Sequence, residues 1–146
     1  MSGRSSETRR DPVICRTPVR LVRERAYLSV VTDLRYDRAD PYAVTILFNA
    51  DAGPGMAVEW RFGRELLLAG REGLSGLGDV RIWPSRVRGY DLVFISLRAG
   101  TEMDVVAVPA AVIDVFVQRT LEAVPVGEEE RFLDVERDMG SLLDDF

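Results

Sequence analysis

The chain contains no histidine, no lysine and a single cysteine, Cys15. Without histidine, the commonest general base and the commonest metal ligand are both missing. Without histidine or lysine, a serine hydroxyl would need an N-terminal amine or a carboxylate as its base, so hydrolytic triads are excluded. One cysteine forms no intrachain disulfide, and nothing completes a zinc set around it. Cys15 also lacks a histidine partner to hold it as a thiolate, which makes it an inert thiol. No apolar run approaches the ~20 residues that cross a bilayer, and the N-terminal arginines are not followed by an uninterrupted apolar segment. These absences predict a non-enzymatic, cofactor-free protein of the reducing cytoplasm, with no membrane span.

What is present fits one folded unit. A chain of 146 residues buries roughly 68–70% of its extended surface on folding, enough for one sizeable core. All 19 basic residues are arginine, and they balance 24 carboxylates unevenly. Residues 1–25 carry seven arginines against Glu7, Asp11 and Glu24, whereas residues 126–146 carry eight carboxylates against Arg131 and Arg137. Residues 1–12 show no apolar periodicity and read as a disordered arm, with a single domain over 13–146.

Strand signals dominate from Val13 to about Val108. They are Tyr27–Thr32, Tyr42–Phe48 and the alternating Val58-Glu59-Trp60-Arg61-Phe62, then Asp79–Trp83, Asp91–Leu97 and Met103–Val108. Asn49 to Gly55 reads as a hairpin loop, and Arg98 to Thr101 as a tight connection. Arg64 to Ala69, closed by Gly70, is a short helix, and Gly70 to Gly78 a loop. Pro109 suits a first helical turn before a helix over Ala110–Ala123 presenting Val112, Ile113, Phe116 and Leu121. Phe132, Val135, Met139, Leu142, Leu143 and Phe146 recur at spacings of three and four, which predicts an acidic, amphipathic C-terminal helix. The order is α+β: antiparallel sheets in two strand-strand-strand-helix halves.

The chemistry-bearing residues read mostly as structural. Asp37 and Asp40, three apart before Pro41, suit an Asx-type turn better than general acid–base or hard-cation chemistry, with Arg35 placed to pair with one of them. The Gly76-Leu77-Gly78-Asp79 run matches no phosphate-binding fingerprint and leads into a strand. Trp60 and Trp83 lie in strands and read as core or interface. Arg81, Arg86 and Arg88, with Trp83 and Tyr90, form the only mid-chain basic and aromatic cluster and define the alternative function, single-stranded nucleic-acid binding. The formal net charge of −5 opposes it, since phosphate contacts dominate such affinity.

Three strings carry a resemblance: Leu34-Arg35-Tyr36-Asp37 with Asp40-Pro41-Tyr42-Ala43-Val44, then Val58 to Leu67, then Gly78-Asp79-Val80-Arg81-Ile82-Trp83-Pro84-Ser85. In this order they resemble the SsgA-like protein family over about residues 19–143. The resemblance implies a cytoplasmic regulator of sporulation-specific cell division in actinobacteria, acting at the division septum without catalysis. It implies FtsZ or another SsgA-like protein as partner, FtsZ recruitment and assembly at septum sites, a homotrimer, and a Whirly-like fold. It supplies no catalytic, metal or cofactor residues. The matched positions Arg35, Tyr36, Asp37, Asp40, Trp60, Arg64, Asp79 and Trp83 are therefore the interaction candidates. The arginine-rich arm and the Ala52-Gly53-Pro54-Gly55 loop depart from the family pattern, consistent with a paralogue.

Overall fold

The computed structural model describes residues 11–23 and 26–133. Its elements are β1 (Val13–Val22), β2 (Tyr27–Tyr36), β3 (Ala43–Phe48), β4 (Val58–Gly63), α1 (Arg64–Gly70), β5 (Val80–Val87), β6 (Tyr90–Ala99), β7 (Glu102–Pro109) and α2 (Ala110–Ala123). Residues 129–133 are helical as well. The chain is α+β, as its pattern predicts, but the first half has four strands before its helix rather than three. The additional strand is β1, whose signal is obscured by Pro18 and by Arg16 and Arg20. Proline cannot donate to a ladder and argues against a central strand. Here β1 pairs with β7 only at Arg20↔Ala107 and Leu21↔Val106, so Pro18 lies beyond that ladder.

The two halves join into one seven-stranded antiparallel sheet ordered β4-β3-β2-β1-β7-β6-β5. The β5–β6 hairpin turns on two residues with positive φ, Arg88 at 52° and Gly89 at 85°, which suits the type I′ turns that match strand twist. Strand alternation then sorts side chains to two faces. One face carries Val19, Leu34, Val44 and Ile46 from the first half and Ile82, Val93, Ile95 and Val106 from the second, all buried. α2 lays Ile113, Phe116 and Val117 on it, completing a single core. Each such side chain contributes ~1.5–3 kcal/mol by leaving water.

Pro109 ends β7 and precedes α2 as its N-cap, one position before the first turn its sequence suggested. α1 is held close to β5, because a Cβ on Gly70 would overlap the Ile82 side chain. Of the predicted C-terminal helix, Phe132 is partly buried against the core. The remaining apolar positions, Val135 to Phe146, lie outside the described residues, as do residues 1–10 of the predicted arm.

Candidate interaction site

The eight candidate residues divide into five settings. Tyr36 and Arg64 are interior, each 2% exposed. The Tyr36 hydroxyl donates to the Pro41 carbonyl at 2.9 Å, and burial pushes its pKa up to about 12. The Arg64 guanidinium lies over the Tyr36 ring, 4.9 Å from its centre. It donates to the carbonyls of Thr120 (3.1 Å) and Val124 (2.6 Å) and to Glu129 Oε1 (2.9 Å). One side chain thus ties the start of α1 to the end of α2 and to the helical residues 129–133. Burial pushes the Glu129 carboxyl up, but its own backbone N–H, the Arg64 guanidinium and the Gly127 N–H outweigh this and hold its pKa below the usual range. A buried charge that is paired and hydrogen-bonded in this way is a fastening for the fold, not a reactive group.

Asp37 and Asp40 build the turn the sequence predicts. Asp37 accepts the Ala39 N–H at 2.9 Å, and its carbonyl accepts the Asp40 N–H at 3.0 Å. Asp40 is paired with Arg61. Arg35 pairs with neither: it bonds Asp33 Oδ2 at 3.2 Å. Asp33, which the sequence reading missed, is a buried carboxylate on the sheet face opposite Leu34 and the core. It is 2% exposed and also receives Arg16 Nε at 2.8 Å and Arg16 Nη2 at 3.2 Å. The Arg16 bond, reinforced by Arg35 against a burial penalty, holds its pKa below the usual carboxylate range. The signal for this triad is the β1–β2 register Arg16↔Asp33, which requires knowing that β1 exists.

The two tryptophans separate. Trp60, on edge strand β4, is partly buried against the core. Trp83 stacks on Phe94 across β5 and β6, with ring centres 5.7 Å apart and planes 9° apart. Its register partner places it on the sheet face opposite Ile82 and α2. There it lines an open groove of about 580 Å³ with Asp79, Arg81, Arg98, Met103 and Val105. Leu74, 71% exposed, is on its rim, and Leu77 beside it is 98% exposed. Asp79 and Trp83 are therefore brought together, whereas the other six candidates are placed elsewhere. Met103 and Arg98 were not legible as members, nor Phe94 as the ring that backs Trp83, because three strands and a loop must assemble before they adjoin.

The basic cluster proposed for nucleic acid is split. Alternation puts Arg81 on the groove face and Arg86 on the helix-bearing face, and Arg88 serves as a turn residue. No group of three or more potential ligating residues could hold a metal ion among the described residues. No helix among them is long and apolar enough to cross a membrane.

The described residues thus carry a buried ionic fastening, an acidic turn and an open, largely apolar groove on an α+β sheet scaffold. Comparison with known proteins specifies which kind. Residues 30–129 match the family model described as Streptomyces sporulation and cell division protein, SsgA. The sporulation-specific cell division protein SsgB of Salinispora tropica is 42% identical over 128 residues, covering 87% of this chain and 90% of the relative. SsgB of Streptomyces coelicolor is 40% identical over 132 residues, covering 90% and 95%. Among solved structures, an SsgA-like sporulation-specific cell division protein from Thermobifida fusca superposes with a TM-score of 0.81 at 34% identity, covering 90% of this chain and 95% of that one. A Streptomyces coelicolor SsgB structure, of a protein whose mutations correlate to longitudinal cell division during sporulation, gives a TM-score of 0.76 at 41% identity, over 84% and 95%. The chain belongs to the SsgA family of sporulation and cell division proteins.

Proposed function

We propose that this chain is a non-enzymatic adaptor of sporulation-specific cell division, working in the cytoplasm at the septum through protein–protein contacts with FtsZ, with another SsgA-like protein, or with both. The observation that carries the reading is its near full-length likeness to SsgB proteins. The surface supports it. Trp83 and Phe94 stack on the sheet face opposite the one that α2 covers, and apolar surface rimmed by charge marks protein contact sites. β4 and β5 are edge strands, and assembly covers edges. We place the fold in the Whirly type and the assembly as a homotrimer on the same family reading. The single-stranded nucleic-acid function suggested by Arg81, Arg86 and Arg88 is disfavoured by their division between two faces and a turn.

Deletion of the gene, followed by fluorescence microscopy of division rings during sporulation, tests the role. The account expects missing or misplaced rings, restored by the wild-type gene; regular septation in the deletion strain contradicts it.

A further inference from the structure

We propose that the Trp83 groove receives the acidic segment spanning residues 134–146 of a second copy of this chain. The groove combines an apolar floor with unused positive charge. Among the described residues, Arg81 and Arg98 have no carboxylate partner, whereas seven other arginines are ion-paired. Asp79 is the one carboxylate in the lining, so the groove carries a net positive charge. Met103, 56% exposed, and Leu74 widen the apolar surface around Trp83.

Segment 134–146 has the complementary character. It carries five carboxylates against Arg137, and Asp144 and Asp145 lie between Leu142-Leu143 and Phe146. Leucine and phenylalanine side chains match the face of the Trp83–Phe94 stack, and the flanking aspartates match Arg81 and Arg98. Residues N-terminal to this segment are fastened on the other side of the sheet. Arg64 holds Glu129, and Phe132 packs against the core that α2 covers. A segment from the same copy would have to round a sheet edge to reach the groove, whereas one from a second copy approaches the open face directly. This inference does not depend on the septation reading.

The test uses the full-length protein and a fluorescein-labelled peptide of residues 134–146, followed by fluorescence anisotropy. A full-length Asp144→Arg, Asp145→Arg variant is titrated in parallel, so that the protein's own segment does not occupy the site. Saturable binding is expected, at least tenfold weaker to Arg81→Glu, Arg98→Glu protein and to Trp83→Ala. It is expected to recover when the Arg81→Glu, Arg98→Glu protein meets a peptide with arginine at 144 and 145. Circular dichroism checks the fold of each variant, and the exposed arginine positions keep the test informative if Trp83→Ala fails to fold. Absence of saturable binding, or equal binding by the folded groove variants, overturns the proposal. Displacement of the peptide by a single-stranded oligonucleotide, with a steep salt dependence, also overturns it and assigns the groove to nucleic acid. No readout involves FtsZ, so failure here is distinct from failure of the adaptor reading.

Discussion

The guanidinium of Arg64 stacks over the ring of Tyr36 at 4.9 Å, and both residues lie within the range that matches the SsgA family model. Their relationship is internal. Arg64 joins the first helix to the end of the second and to the residues that follow it, so in this chain the two side chains fasten the fold from inside.

Arg64→Ala would leave Glu129 without its cation and the Val124 carbonyl without its guanidinium donor, while the Thr120 carbonyl would keep only the Val124 N–H. Removing one partner of a buried ion pair costs about 3–5 kcal/mol. Chemical denaturation should show a loss of that order, and a loss below about 1 kcal/mol would contradict the assigned role.

Tyr36 is expected to stay protonated beyond the ordinary phenol range. Its folded pKa is raised to about 12, above the unfolded value of about 10. Its stabilising contribution is therefore fully present below pH ~10 and lost as pH rises through the folded value. Ultraviolet titration should resolve one late-titrating phenol that Tyr36→Phe removes, and the lost bond to Pro41 should cost about 0.5–1.5 kcal/mol.

Asp33 has the opposite sign. Its pKa is depressed in the fold by Arg16 and Arg35, so its contribution is present above the unfolded value of about 3.9 and disappears as pH falls through the folded one. Wild type should exceed Asp33→Asn in stability at neutral pH, with the gap closing in acid below that value. A gap independent of pH would show that the ion pairs are not its source.

Gly70 is set by close approach. A side chain there meets Ile82, and overpacking costs about 1–3 kcal/mol. Thermal unfolding of Gly70→Ala should show a loss of that size, whereas Gly73→Ala, with open space around its Cβ position, should be nearly neutral.

Local signals were readable wherever they acted alone. The alternation of Val58 to Phe62, the turn at Asp37 and Asp40, and the extent of α2 all followed from periodicity and turn chemistry. β1 did not, because Pro18 speaks against a central strand and its tolerance depends on how briefly β1 and β7 pair. The Asp33 triad and the Arg64 fastening join residues 17 and 65 positions apart, and neither arginine announces its partner. The groove is similarly non-local: Asp79 and Trp83 were named from the family strings, but Phe94, Arg98 and Met103 join them only through the β5–β6–β7 register.

Co-sedimentation of purified FtsZ filaments with and without this protein tests the adaptor reading most directly, with single-stranded DNA binding run alongside across a salt series. The account predicts increased filament pelleting, with this protein in the pellet, and no appreciable DNA binding. Unchanged pelleting with the protein left in the supernatant would contradict it.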